Sequence, residues 1–364
     1  MQSKYPRHAI EPSVTLAEIA KHCGVGRSTV QRALSGQTNV LPETAARIHA
    51  AAAALGYDPA HQEAARRLAY RQQGKLPTNH VIAHVVPANY NDPYYSRISD
   101  GIIEVLIREE YALLLVFSTD AQRDRIPPSI AFGHVDGVVL TNIAPQDRLP
   151  LCRLLRETPA FRTRPIISLF RPSDSSPAVL VDEQGGAYLA TTHLLELGHR
   201  RLVEFYGGNI EPDYFSTNRY AGCRRACTDF GLDPHTVLCS PPVNTHQAID
   251  IRYAAPLLQA LEQDPTITGI LAPNDDAAVH LIYMLRARGY RLPEDYSIVG
   301  FDDIRRWDND RGINQLTTIR VPLEDMGRLA AEQMIACLRG KETPNDYTTL
   351  PTQLVVRATT APPR

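Results

Sequence analysis

Within RSTVQR, at positions 27–32, the side chains suited to chemistry are Arg27, Ser28, Thr29, Gln31 and Arg32. The chemistry is recognition rather than bond-making. A guanidinium can fork to guanine O6 and N7, a Gln amide can pair with adenine, and a hydroxyl can meet a base edge or a phosphate. Arg27 and Ser28 stand first and would reach bases; Arg32, one turn on, would read a base or hold a phosphate, and Gln31 would contact adenine or face solvent. The plain alternative is a helical hairpin with a solvated basic face. Groupings that make or break bonds are missing. FYGGN at 205–209 lacks the dinucleotide-binding GxGxxG pattern, and no GxxxxGK[ST] phosphate loop, GxSxG elbow or HExxH pair occurs. Asp275–Asp276 and Asp302–Asp303 are adjacent carboxylates whose side chains diverge, a poor arrangement for acid and base across a glycosidic bond. The chain does not read as an enzyme, and no cofactor is expected.

The elements that must position the recognition residues are short and explicit. Thr15 and Glu18 have capping-box spacing at a helix start, and Leu16, Ile19 and Ala20 make an apolar face. Gly24 supplies the left-handed residue that closes the helix. A second helix begins near Gly26 or Arg27, turns Val30, Ala33 and Leu34 inward, and stops at Gly36. Gly26 stands where a Ser or Thr cap would be stronger. Two short helices about a glycine turn form the helix-turn-helix unit that lays its second helix in the major groove. Pro42 opens a third helix, with Ala45, Ile48, Ala52 and Leu55 at helical spacing before Gly56. Thr15, Arg27, Ser28, Thr29, Gln31 and Arg32 are the candidate DNA-contacting set of this headpiece, residues 1–58.

The run VTLAEIAKHCGVGRSTVQRALSG (14–36), followed by VLPETAARIHAAAAALGYDP, resembles the headpiece of the lactose/galactose repressor (LacI/GalR) family. The resemblance continues in order through VDGVVL (135–140), HLLELGHRRL (193–202), NDDAA (274–278), LPEDYSIVGFDD (292–303), LTTI (316–319) and LVVR (354–357). It implies a dimeric transcription regulator whose DNA affinity is set by a small ligand. It also implies that residues 59–77 are a hinge whose helix enters the minor groove, with Arg66, Arg67 and Leu68 in the contacting positions and Leu68 as the wedge. The stretch from Pro59 to Ala65 is about two residues longer than the usual pattern.

From residue 78 onward, β-branched runs alternate with amphipathic helices. VIAHVV, ALLLVF, VDGVVL and PIISL form one series; AVLV, RLVEFYG, TVLC, TGILA and YSIVGF form another. Continuous apolar strands between helices imply parallel sheets covered on both faces. The expected architecture is therefore a small all-α headpiece followed by a two-lobed α/β body of the periplasmic-binding-protein type, residues 78–364. Lobe one is expected at about 78–173 plus 304–331, and lobe two at about 174–303 plus 332–364, with three crossings. Ligands of such sheets sit beyond the carboxyl ends of the strands, in the cleft between lobes.

Candidate ligand residues end strands on that side. NDPYY follows the first strand: Asp92 can accept hydroxyl hydrogens, and Tyr94 and Tyr95 offer flat faces to a sugar or a base. Arg171, after PIISLF, can fork to hydroxyls or a carboxylate. The resemblance implies ligand contacts for Arg219, in STNRYAGC, and for Asp275, in NDDAA. Trp307, the single tryptophan, either stacks on a ligand or packs in the core. Carboxylates and arginine beside aromatic faces favour a sugar or related polyol as effector, with a purine or nucleoside as second choice.

Charge divides in the same way. Residues 1–75 carry ten Lys/Arg against five Asp/Glu, net +5, so the remainder of a chain with net charge −2 carries −7. A basic head on an acidic body is what contact of the head alone with nucleic acid requires. Six cysteines without a CxxC pair argue against a zinc or redox motif, and Cys223 and Cys227 read as small buried residues. No apolar leader follows the N-terminus and no apolar run approaches a membrane span, so a cytoplasmic protein without membrane contact is expected. The sequence reads as a ligand-responsive transcriptional regulator, a homodimer on double-stranded operator DNA. A solute-binding receptor is the alternative from another class.

Overall fold

The computed structural model describes residues 14–34, 39–57, 78–87, 93–118, 126, 130, 134–141, 155–158, 161–172, 176–207, 214–243, 249–341 and 347–364. Two compact units divide at Asn79/His80. In the first, helices α1 (Leu16–Cys23), α2 (Arg27–Leu34) and α3 (Pro42–Ala54) pack around Ile19, Val30 and Ile48, all fully buried. The stop expected at Gly36 lies outside the described residues, as do Arg66, Arg67, Leu68 and Asp92.

The second unit holds two six-stranded sheets. Its strands are β1 (Val81–Pro87), β2 (Ala112–Ser118), β3 (Gly137–Thr141), β4 (Ile166–Leu169), β5 (Ala178–Val181), β6 (Leu202–Glu204), β7 (Leu238–Cys239), β8 (Gly269–Leu271), β9 (Ser297–Asp302), β10 (Thr318–Arg320), β11 (Tyr347–Leu350) and β12 (Gln353–Val355). Lobe one orders them β11-β5-β4-β3-β1-β2, and lobe two orders them β12-β10-β9-β8-β6-β7. All the strand pairs are parallel except β10 with β12. The helices are α4 (Pro93–Arg108), α5 (Glu183–Glu196), α6 (Tyr214–Asp229), α7 (Pro234–Val237), α8 (Ile249–Gln263), α9 (Asp275–Ala287) and α10 (Leu323–Leu338). Alternation along β1 accounts for its unbroken apolar run: Ile82 joins the core under α4, while Ala83 and Val85 join the core on the other face.

The lobe boundaries differ from those read in the sequence. AVLV pairs with β4 and β11, so lobe one runs to Val181 rather than 173. Residues 304–320 stay in lobe two, because β10 aligns Thr318 with Gly300 of β9. The exchanged segment is α10, which packs on β3, β4 and β5, together with β11. The crossings fall at Asp182, at 321–322 and at 351–352. Hydrophobic alternation says that a strand is buried, but ladder hydrogen bonds decide in which sheet.

Two buried polar clusters brace the lobes. The His84 ring nitrogens on β1 lie 3.0 Å from Ser99 Oγ and 2.6 Å from Thr141 Oγ1, tying α4 to β3. Burial holds this imidazole neutral, its pKa lowered to about 3. In lobe two, His199 lies 2.7 Å from Thr268 Oγ1 and 3.0 Å from the Ala361 carbonyl, anchoring the C-terminal segment. Cys223 and Cys227 are buried on α6, and burial raises both thiols above their usual range.

Candidate functional site

In the headpiece the capping box is complete. Thr15 Oγ1 accepts from the Glu18 amide at 3.3 Å, and Glu18 Oε2 accepts from the Thr15 amide at 2.6 Å. These bonds hold the Glu18 carboxyl below its usual range. Gly24 takes φ 61°, and the Gly26 carbonyl accepts the first two bonds of α2 from Thr29 and Val30. With Val30 and Ala33 turned inward, Arg27, Ser28 and Gln31 are exposed and Thr29 and Arg32 half-buried. Arg32 Nε donates to the Ser28 carbonyl at 3.2 Å, which lays its guanidinium along the helix. One outward face thus carries the donors predicted for base and phosphate contact.

The body's candidate site gathers residues from five separated segments. Tyr94, in the first turn of α4, stacks on Phe170 with centroids 5.5 Å apart, and Phe170 meets Phe215 edge-on at 6.5 Å. Arg171 sets its guanidinium 4.9 Å over the Phe215 ring. Phe170 holds φ 70° and Asp302 holds φ 106°, backbone conformations that cost on the order of 1–3 kcal/mol each and gather at functional sites. On α6, Phe215 and Arg219 are four residues apart and share a face. Arg219 donates from Nε to Glu183 Oε2 and from Nη1 to the Pro273 carbonyl, both at 2.6 Å, with its guanidinium 3.6 Å over Phe301. Burial opposes the Arg219 charge, but the Glu183 carboxylate, helped by Tyr206 and Asp302, outweighs it and holds the guanidinium protonated. The Tyr94 hydroxyl is pushed well up, first by burial and then by the Asp302 and Glu183 carboxylates. Aromatic faces, the guanidinium groups of Arg171 and Arg219 and the carboxylates of Glu183 and Asp302 therefore meet where the lobes face each other. Such a set can bind a polar ligand that has an apolar face.

Residues 15–60 match the model of the lacI family of bacterial regulatory proteins, and residues 191–360 match the periplasmic binding protein-like domain. The HTH-type transcriptional regulator CelR of Thermobifida fusca is 29% identical over 94% of this chain and 97% of its own. The chain belongs to the LacI family. It is a DNA-binding transcriptional regulator and not an enzyme. The solved CelR–cellobiose complex superposes on this LacI-family chain with a TM-score of 0.64 at 26% identity, covering 95% of this chain and 99% of the other. A LacI-family regulator from Enterococcus faecium with bound ribose gives 0.61 at 26% identity, covering 78% and 99%. Among the described residues, no helix is long and apolar enough to cross a membrane.

Within this LacI-family body the structure sorts the sequence-predicted ligand residues. Tyr94, Arg171 and Arg219 meet in the cleft. Tyr95 touches Tyr94 at 5.6 Å but is buried on the core side of α4. Asp275 does not face the cleft. It is fully buried; Oδ1 accepts from Thr318 Oγ1 at 2.5 Å, and Oδ2 from the Ile304 and Arg305 amides at 2.8 and 3.2 Å. Burial outweighs those donors and pushes its carboxyl up to about 7. Asp275 fixes the chain leaving β9, while Asn274 supplies the helix cap through the Ala277 amide at 2.8 Å. Trp307 is also elsewhere. It packs on the α8–α9 core beneath Arg286, whose guanidinium sits 5.4 Å from the ring. Arg286 is eleven residues beyond the cleft end of α9, about 16 Å along a helix. Phe170, Glu183, Phe215 and Asp302 were not singled out from sequence. The signals were available: Phe170 adjoins Arg171, Phe215 precedes Arg219 by one helical turn, and Asp302 ends an apolar strand at the cleft end.

Proposed function

We propose that this regulator is a repressor whose operator affinity is set by a sugar bound between the lobes. The carrying observation is the Arg219–Glu183 pair beside Asp302, flanked by the Tyr94 and Phe215 rings. Vicinal hydroxyls can donate to Asp302 and accept from Arg219, while a ring face covers the C–H side of a pyranose. The sugars in the two related complexes support the class without fixing its member. Thr15, Arg27, Ser28, Thr29, Gln31 and Arg32 contact the operator, joined by Arg66, Arg67 and the Leu68 wedge of the connector. The domain limits that go with this reading are 1–58 for the headpiece, 59–77 for the hinge and 78–364 for the body. The protein acts as a homodimer. Ile103 and Ile107, one turn apart on α4, and Phe117 on the edge strand β2 leave apolar surface exposed on lobe one that a second copy would cover.

Calorimetry of the full chain against cellobiose and other disaccharides, monosaccharides, sugar acids and nucleosides tests the reading. Saturable binding of a sugar, weakened at least tenfold in Asp302→Asn, supports it. Binding of nucleosides alone, or of none of these, overturns it.

A further inference from the structure

Asp302 and Asp303 close β9 with consecutive left-handed backbones, φ 106° and 57°. They serve opposite sides of the strand end. Asp302 acts on Tyr94 and Arg219 in the cleft. The Asp303 carboxylate is gripped from the other side, by Arg320 Nε at 2.8 Å and Arg357 Nη2 at 2.7 Å, both from lobe two. Its backbone carbonyl accepts from Arg97 Nη1 at 3.2 Å, and Arg97 belongs to α4 in lobe one.

Arg97 stands on a rigid block. A Cβ on Gly101 would lie 2.0 Å from the Glu324 carbonyl oxygen, and one on Gly327 would lie 2.0 Å from the Ile98 carbonyl oxygen. The backbones of α4 and α10 are thus in direct contact, and Arg97 is 3.6 Å from the Glu324 carboxylate at the start of α10. The same α4 carries Tyr94 at its cleft end. Beside these groups, a cavity of about 620 Å³ is lined by Arg97, Asp303, Arg320, Pro322, Glu324 and Thr352, next to two of the three crossings. Two of the three crossings therefore border open space, with Val321 packed in the core beside it.

We propose that Arg97 is a positioning residue: its hydrogen bond to the Asp303 carbonyl ties the effector-facing end of β9 to the α4–α10 block and sets the balance between lobe arrangements. The idea rests on the cleft being the effector site, but its test needs no effector. A bond across a hinge biases one arrangement, and any ligand must work with or against that bias.

Hydrogen exchange on the unliganded full chain reads the tie directly. The reporting amides are Val321, which meets the Asp302 carbonyl at 3.4 Å, and Leu323. The Asp182 amide, bonded to the Leu350 carbonyl at 2.9 Å, is the internal reference at another crossing. Arg97→Met should speed exchange across 302–323 at least about fivefold and leave Asp182 unchanged. Arg97→Lys, which keeps a donor, should stay within about twofold of wild type, as should Glu324→Gln, which keeps the Asp303 contact. Affinity for a duplex selected from a random library by the wild-type protein should change at least about fivefold in Arg97→Met, the lower end of ordinary allosteric coupling. Unchanged exchange and affinity in Arg97→Met would overturn the proposal. So would equal effects from Glu324→Gln, which would assign the role to the ion pair on α10 alone. If Arg97→Met does not fold, Arg97→Ala, which also lacks a donor, takes its place under the same criteria. Failure of every sugar to bind would sink the effector reading and leave these results standing.

Discussion

The headpiece and the cleft solve the placing of functional side chains in different ways. In the headpiece, the five proposed recognition residues lie within six consecutive positions, and one buried face (Val30, Ala33) dictates which of them point outward. In the cleft, Tyr94, Phe170, Glu183, Phe215, Arg219 and Asp302 come from segments separated by up to about two hundred residues. Each is held by a different device: a helix start, a left-handed backbone, a buried ion pair. A locally encoded site is robust to change in the rest of the molecule, whereas an assembled site fails when its supports do. The difference is also one of burial. Of the headpiece candidates, Arg27, Ser28 and Gln31 are exposed and open to a large partner, while Arg219 and Glu183 are already withdrawn from water.

That contrast can be broken most forcefully by acid. His84 belongs to the body alone and is held neutral, with its folded-state pKa depressed from 6.5 to about 3. As pH falls below 6.5 the unfolded chain binds a proton that the folded body refuses. This group alone therefore removes about 1.4 kcal/mol per pH unit from the body until about pH 3, opposed between about pH 7 and 4 by Asp275, whose raised carboxyl takes up its proton first in the folded body. Over that window the loss from this group is on the order of 4–5 kcal/mol. Trp307, the single tryptophan, reports on the body without the headpiece, so its fluorescence in urea titrations at several pH values follows the effect. Relative to wild type, His84→Gln should remove this loss on acidification; the same slope in both proteins would show that other groups control it.

Next in size is the cleft pair. Arg219→Ala leaves the Glu183 carboxylate buried and unpaired, which ordinarily costs about 3–5 kcal/mol. The Trp307 transition should move accordingly, while affinity of the headpiece for non-specific duplex stays at the wild-type value. Joint replacement, Arg219→Met with Glu183→Gln, should recover part of the loss. A parallel loss of non-specific DNA binding would contradict the independence of the two regions.

Smaller effects are expected in the headpiece. Arg27→Ala should cost about 1–3 kcal/mol on a selected operator and relax preference at one base position. Selection from a random library with the mutant reads this out, and an unchanged consensus would remove Arg27 from base readout. Thr15→Ala deletes the cap and should cost the headpiece about 1 kcal/mol, with no shift of the Trp307 transition. Amide resonances of α1 during thermal unfolding give the measurement.

How much was legible in advance follows the same division. The headpiece helices, the Thr15–Glu18 box, the Gly24 turn and the outward set of α2 were readable because each depends on neighbours within four residues. The parallel two-lobed body was readable as a class, since fully buried strands leave continuous apolar runs. Tyr94 and Arg171 were named from residue type and position at element ends and Arg219 from the family resemblance, and the structure brings these three together in the cleft. Asp275 was read as a cleft carboxylate from the family resemblance and its place at a helix start, where a carboxylate looks alike whether it meets a ligand or a backbone amide.

The sequence by itself determined the headpiece, the basic head and acidic body, and the kinds of groups available for a polar ligand. These follow from local periodicity, capping and composition, which need no knowledge of distant chain. Only the tertiary structure decided which lobe claims AVLV, that 304–320 stays with lobe two, that Trp307 lies under Arg286, and that Asp302 rather than Asp275 turns toward Tyr94 and Arg219. Each of these depends on strand pairing or side-chain burial between residues far apart in the chain. The two consecutive aspartates at 302 and 303 make the point most plainly. They have the same chemistry and adjacent numbers, and only the fold sets one beside Tyr94 and Arg219 and the other between Arg320 and Arg357.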